Sequence, residues 1–197
     1  MHSAGATTLG TQSSLFETAA PGPAGLAFRE EFVTRAEEAE LLEAIAGLSF
    51  RPFEFHGWTG NRETVSFGWR YDFNQARVER APPIPDFLLP LRERAAQFAG
   101  LEPAAFEQGL VIRYEVGAGI GWHRDRPVFD QVFGLSLLSP CVLRFRRRRG
   151  AGFERFSLEA PPRSAYLLSG EIRHDWEHGI SPLQVKRFSI TFRSRRA

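Results

Sequence analysis

What most restricts the fold of this chain is its second half, where short runs of β-branched, aromatic and leucine residues recur between Gly and Pro stops. The runs 109–116, 122–125, 134–138, 141–147, 153–158, 165–168 and 188–193 have strand length and are too brief for ordinary helices. Regular short strands of this kind pack as a sandwich or close into a barrel. Helical periodicity is confined to the first half. Thr34, acids at 37 and 38, and Leu41, Leu42 and Ile45 at helical steps predict a capped helix ending near Gly47. A second is predicted from about Pro85 to Phe98, with Phe87, Leu88, Leu91, Ala95 and Phe98 in phase and Gly100 as the stop. Both should back a sheet, giving an α+β, mainly β, domain.

A length of 197 residues with 43% apolar content suits one domain with a substantial core. Residues 1–25, rich in Ala, Gly, Thr, Ser and Pro without periodicity, read as a mobile tail ahead of a single domain over 26–197. No run of about 18 apolar residues is present to span a membrane, and the start lacks a basic-then-apolar secretory pattern. No membrane association and a cytoplasmic location are expected. The lone Cys141 excludes an internal disulfide and a cysteine-based zinc site, and reads as a small buried strand residue.

The net charge of +2 divides unevenly: residues 1–100 carry 9 basic and 13 acidic side chains, residues 101–197 carry 16 and 10. All but Lys186 of the cations are Arg, the better fork for phosphates and carboxylates. A polyanionic partner fits this half. Arg146–Arg149, just before Gly150-Ala151-Gly152, reads as a solvated hairpin tip in preference to a nucleic-acid contact. Residues 50–74 are aromatic and mixed. Their later part alternates as a strand, and Trp58-Thr59-Gly60-Asn61 reads as a turn or loop. Trp58, Trp69 and Tyr71, beside Arg62 and Arg70, suit stacking of a flipped nucleobase; core packing is the other reading of each. His56 reads as structural.

The chemistry centres on Gly121-Trp122-His123-Arg124-Asp125. His123 and Asp125 are two apart, which on a strand puts both side chains on one face. An imidazole and a carboxylate there supply part of the two-histidine, one-carboxylate face that holds Fe(II) with open positions opposite. The third ligand must come from elsewhere. Arg187 and Arg193 also share a face, with Cα atoms roughly 20 Å apart on an extended strand. Converging, their side chains would leave a gap comparable to a five-carbon dicarboxylate. Phe188, Ile190 and Phe192 fill the other face of that strand.

Over about residues 50–193 the motifs jointly resemble the AlkB family of Fe(II)- and 2-oxoglutarate-dependent dioxygenases. The resemblance lies in Arg113-Tyr114 before a Gly turn, His-x-Asp nine residues after that Tyr, Gly-Glu-x-Arg-x-x-Trp-x-His-x-Ile from Gly170, and Arg-x5-Arg from Arg187. It implies a double-stranded β-helix, a jelly-roll or cupin-like barrel, backed by the N-terminal helices. It implies Fe(II), 2-oxoglutarate and O2, with His123, Asp125 and His178 as metal ligands. Tyr114, Arg187 and Arg193 would hold 2-oxoglutarate, and Arg173 would lie near the substrate. Two positions depart from the pattern. Ile112 stands where the family often has Asn, and Pro127 stands where some nucleobase demethylases carry an acid. The expected activity is oxidative dealkylation or hydroxylation of modified bases in DNA or RNA, tRNA included, by a monomer. The alternatives are a 2-oxoglutarate-dependent hydroxylase of a protein or small molecule, and a non-catalytic ligand-binding barrel.

Overall fold

Thr34 opens the first helix through a reciprocal cap: its hydroxyl accepts from the Glu37 amide at 3.2 Å, and its own amide donates to Glu37 Oε2 at 2.6 Å. The computed structural model describes residues 22–55, 58–72 and 77–196, with the side chains of 54, 55 and 58–60 outside that description. In chain order the elements are β1 (Leu26–Arg29), α1 (Arg35–Ala46), β2 (Arg51–Phe55), β3 (Trp58–Phe67), β4 (Trp69–Asp72), β5 (Arg77–Arg80), α2 (Leu89–Ala99) and β6 (Phe106–Tyr114). Then follow β7 (Ile120–His123), β8 (Phe129–Leu137), β9 (Cys141–Arg149), β10 (Gly152–Ala160), β11 (Ala165–Leu168), α3 (Gly170–His174), β12 (Glu177–Ile180) and β13 (Arg187–Arg195). The first helix matches its predicted cap and stop. The second begins as a 3-10 turn over Asp86–Leu88 and ends on Gly100, whose φ of 67° is the left-handed cap foreseen for it.

The strands form a seven-stranded sheet, β1-β11-β8-β13-β6-β3-β2, facing a four-stranded sheet, β10-β9-β12-β7, with β4 and β5 as a separate hairpin. All recorded pairings are antiparallel, as in a jelly roll. Alternation along β8 and β13 gives the large sheet two different faces. One carries Phe133, Leu135, Ile190 and Phe192, buried under Leu41 and Ile45 of α1 and Leu91 and Ala95 of α2. Phe133 is its hub, with ring contacts to Phe32 at 5.3 Å and Phe192 at 6.2 Å. Arg94 of α2 locks the two helices by donating to Glu37 and to the Phe32 carbonyl. The other face looks into the space between the sheets, where Ile112, Val132 and Leu168 meet Leu143, Phe145 and Ile180. Thr34→Ala should cost about 1 kcal/mol by removing the cap. A fall in denaturant midpoint at unchanged slope would register it.

Two local expectations are corrected, and one strand went unread. Trp58–Asn61, read as a turn or loop, belongs to β3, because Phe55, Glu54 and Phe53 of β2 pair with Trp58, Thr59 and Gly60, and a register shift between Pro52 and Phe53 leaves Asn61 and Arg62 in a bulge. The strand expected through Asp125 ends at His123, where pairing with β12 stops. β12 itself has only four residues, one of them Gly179, too little pattern to announce a strand. Elsewhere Arg146–Arg149 does run into a hairpin tip, with Arg149 opposite Gly152. Of the tail expected over 1–25, residues 1–21 lie outside the described residues; the Ala24 and Gly25 carbonyls accept from the Ile172 and Ser169 amides, both at 3.0 Å. Among the described residues no helix is long and apolar enough to cross a membrane.

Candidate active site

β7 and β12 set the first half of the site. His123 and His178 are direct cross-strand partners, so both imidazoles enter the space between the sheets, with ring centroids 4.3 Å apart. Asp125, just past the end of β7, brings Oδ2 to 3.8 Å from His178 Nε2. The His123 Nδ1 lies 2.9 Å from the Gly121 carbonyl, a contact that assigns the proton to Nδ1 and leaves Nε2 as a lone-pair donor.

Charges around the group favour cation binding. Burial is the largest single influence on the Asp125 carboxyl and pushes it up, but Arg193, His178, His123 and Arg173 together outweigh it and hold the group well below the usual carboxylate range. Burial, and then the neighbouring His123, push the His178 pKa down to about 3 against the pull of Asp125. At neutral pH the pocket therefore offers an anionic oxygen and a neutral imidazole, the protonation states that metal ligation requires. Arg193 Nε donates to Asp125 Oδ1 at 3.1 Å, and its Nη2 lies 3.0 Å from the same oxygen in an ion pair. Asp125 Oδ2 is buried with no hydrogen-bond partner among the described residues, and a buried carboxylate oxygen left so is costly unless a cation completes it. Among the described residues no three His, Cys, Asp or Glu side chains already stand in closed metal-ligand geometry. Two imidazoles and one carboxylate do line one pocket wall.

Arg187 sets the second half. It is 1% exposed, opposite Tyr114 in register, with its guanidinium 5.1 Å from that ring. Nη2 donates to Ser136 Oγ at 3.2 Å, whereas Nε and Nη1 are buried without partners. A buried cation with an unfilled fork is a receptor for a carboxylate. Between this fork and Asp125 the wall of β13 presents Ser189 and Thr191, and Ile120, Leu143 and Ile180 close the space from the small sheet. The residues therefore fit an elongated anion with one end at Arg187 and the other at the His–Asp–His wall.

The remaining sequence-derived residues are spread more widely. Arg173 is 3% exposed and donates through Nη2 to the carbonyls of Arg126 at 2.8 Å and Phe129 at 2.5 Å, pinning the turn that follows Asp125. Tyr71 meets the same turn, with the Arg126 guanidinium 4.8 Å from its ring. Trp69 stands apart, its indole N–H donating to Glu107 at 3.2 Å and its ring flanked by Arg80 and Arg195, each at 4.9 Å. The Trp58 side chain lies outside the described residues.

Three inward-facing polar residues went unread in the sequence. Gln108 accepts from Arg193 Nη1 and donates to the Trp69 carbonyl, each at 3.0 Å; Ser136 holds Arg187; and Tyr166 lines the pocket. Gln108 had a signal: it shares the phase of Leu110, Ile112 and Tyr114 on β6, where a buried polar residue calls for a partner.

The family model for the 2OG-Fe(II) oxygenase superfamily matches residues 30–193. The chain belongs to that superfamily. By family the oxygenase uses Fe(II), 2-oxoglutarate and O2 as an Fe(II)- and 2-oxoglutarate-dependent dioxygenase. Its relatives are AlkB-type, in line with the motifs. It is 30% identical over 182 residues to the alkylated DNA repair protein ALKBH8 homolog of Arabidopsis thaliana, covering 79% of this chain and 50% of that one. With tRNA (carboxymethyluridine(34)-5-O)-methyltransferase alkbh8 of Xenopus tropicalis it shares 30% over 166 residues, covering 81% of this chain and 26% of that one. The oxygenase thus spans about half of the first relative and about a quarter of the second. With human alpha-ketoglutarate-dependent dioxygenase alkB homolog 4 it shares 26% over 222 residues, 94% of this chain and 72% of that one. The solved structure of OsALKBH1 superposes with a TM-score of 0.69 at 15% identity, covering 87% of this chain and 97% of that one; this likeness establishes the fold, the expected jelly-roll-like barrel.

Proposed function

We propose that the single domain over residues 26–197, preceded by a tail, oxidises alkylated or otherwise modified nucleobases in DNA or RNA, tRNA included, as a cytoplasmic monomer. The observation that carries the reading is a pair of unfilled groups between the sheets: Asp125 Oδ2 in the pocket lined by His123, His178 and Tyr114, and Arg187 Nε and Nη1 beside the Tyr114 ring. His123, Asp125 and His178 hold Fe(II), with Arg193 orienting Asp125. Arg187 and Tyr114 hold the far carboxylate of 2-oxoglutarate. Bound iron and co-substrate supply the oxidising chemistry: O2 is consumed, 2-oxoglutarate leaves as succinate and CO2, and a substrate C–H becomes C–OH. On an N-methyl group the hydroxymethyl product then breaks its C–N bond, releasing formaldehyde and returning the proton to the base nitrogen. The protein residues need only orient the reactants and exclude water, so no further acid–base pair is required.

Two observations support a nucleic-acid substrate. Relatives of this chain are named for alkylated DNA repair and for a tRNA uridine. The outer face of the small sheet is cationic and aromatic: Arg144 and Arg146 lie 5.0 and 4.5 Å from the Trp122 ring, and Arg146 and Arg148 lie 4.6 and 5.4 Å from Phe153. Trp122 directly precedes His123, so this face adjoins the strand that carries a ligand. Arg148 and Arg155 are exposed there and available to phosphates.

The test is a panel of N-methylated oligonucleotides followed by mass spectrometry. Succinate and formaldehyde should appear in equal amounts on at least one of them. Succinate with a retained hydroxyl on a protein or small molecule, and none on any oligonucleotide, would favour the hydroxylase instead. Arg148→Gln with Arg155→Gln should weaken oligonucleotide binding and flatten its logarithmic salt dependence by roughly 0.7 per lost phosphate contact. An unchanged slope would remove this face from the substrate path.

A further inference from the structure

The inner face of the large sheet is a grid of residues in register. Arg187 and Tyr114 form one row, Ser136, Ser189 and Ile112 the next, and Tyr166, Gly134 and Thr191 the one after. The Arg187 side chain leans along this grid, since its Nη2 reaches Ser136 one row on. An anion on its free Nε and Nη1 therefore lies beside the second row, where Ile112 has no hydrogen bond to give.

Tyr166 belongs to β11, two strands away from β13, yet it lines the same pocket. Gly134 on the intervening β8 is what lets it cross. A Cβ at Gly134 would stand 2.2 Å from Tyr166 Cζ and 2.4 Å from its hydroxyl oxygen, so the ring occupies the space that any side chain there would fill. The hydroxyl is thereby carried over β8 toward β13, one row from Ser136. The residue is half-buried, and its hydroxyl makes no hydrogen bond among the described residues, which leaves it open to a ligand in the pocket. Burial first, and Tyr114 second, push its pKa above the usual phenol range, so it stays protonated and able to donate.

We propose that Tyr166, seated across Gly134, is a co-substrate-binding residue whose hydroxyl donates to the 2-oxoglutarate carboxylate held by Arg187, supplying from β11 the polar contact that Ile112 does not. The far carboxylate is then held by a guanidinium and by phenols from both sides of β13, Tyr114 and Tyr166. Gly134 acts through Tyr166 as a positioning residue. The inference deepens the co-substrate site proposed above and rests on it.

The test is calorimetric titration of the Mn(II)-loaded chain, which binds without turning over, with 2-oxoglutarate and with 2-oxobutyrate, which keeps the keto-acid end and lacks the far carboxylate. Tyr166→Phe should raise the Kd for 2-oxoglutarate about tenfold, the scale of one hydrogen bond to a charged group, and leave 2-oxobutyrate unchanged. Gly134→Ala should reproduce that selectivity by displacing the ring, and the double variant should add nothing. If Gly134→Ala fails to fold, Tyr166→Phe alone decides. No loss with Tyr166→Phe, or an equal loss for both ligands, overturns the proposal. An Arg187→Ala variant read alongside separates the failures. If it also keeps wild-type affinity, the whole cradle is misassigned and Tyr166 falls with it; if it loses 2-oxoglutarate while Tyr166→Phe does not, only the Tyr166 role is wrong.

Discussion

His178→Ala is expected to abolish Fe(II)-dependent succinate production while the chain keeps its fold. His178 is one of two imidazoles paired across β7 and β12, and with Asp125 it forms the donor wall. A three-ligand site that loses one ligand is left with an incomplete face. Its ring also packs on Phe145 at 6.0 Å, so removal should cost some stability as a core cavity. Circular dichroism and Fe(II) uptake must therefore be read beside turnover. His123→Ala and Asp125→Ala should fail in the same way. The control is His174, four residues earlier on α3, which faces Asp130 at 3.4 Å instead of the pocket. His174→Ala should turn over near the wild-type rate. If His178→Ala does so and His174→Ala does not, the ligand set is wrong.

How far the sequence could be read depended on whether a residue's role followed from its own strand or from a neighbouring one. Arg187 and Arg193 were legible because alternation within β13 separates Phe188, Ile190 and Phe192 from them, and the structure keeps that separation. The caps of α1 and α2 were legible for the same local reason. Asp125 was placed beside His123 by strand periodicity, but it lies past the strand end, held by Arg193 from the opposite sheet. Tyr166 was illegible: its reach depends on Gly134, a residue 32 positions earlier in the sequence that becomes its neighbour only through the pairing of β8 with β11. The aromatic segment was the least legible. Nothing in its composition separates Trp69, tied to Glu107 and Arg195, from Tyr71, stacked on the turn after Asp125.

Arg187→Met is expected to separate the needs of the co-substrate from those of the fold. In the co-substrate-free chain Arg187 is a buried cation with two N–H groups unpartnered and no carboxylate recorded beside it, a costly arrangement. An apolar side chain of similar length should leave the stability of the free protein unchanged or raise it. The effect on 2-oxoglutarate has the opposite sign. A far carboxylate buried without its guanidinium loses an interaction worth about 3–5 kcal/mol, a rise in apparent KM of roughly a hundredfold or more. Arg187→Lys should fall between, since an ammonium cannot present the planar fork. Thermal unfolding with and without the ligand reads both signs at once. At a hundred times its Kd, 2-oxoglutarate should stabilise the wild type by about 2.7 kcal/mol and leave Arg187→Met where it was. A variant that is destabilised when free, yet stabilised by 2-oxoglutarate as the wild type is, would make Arg187 a structural cation and remove the far-carboxylate anchor from β13.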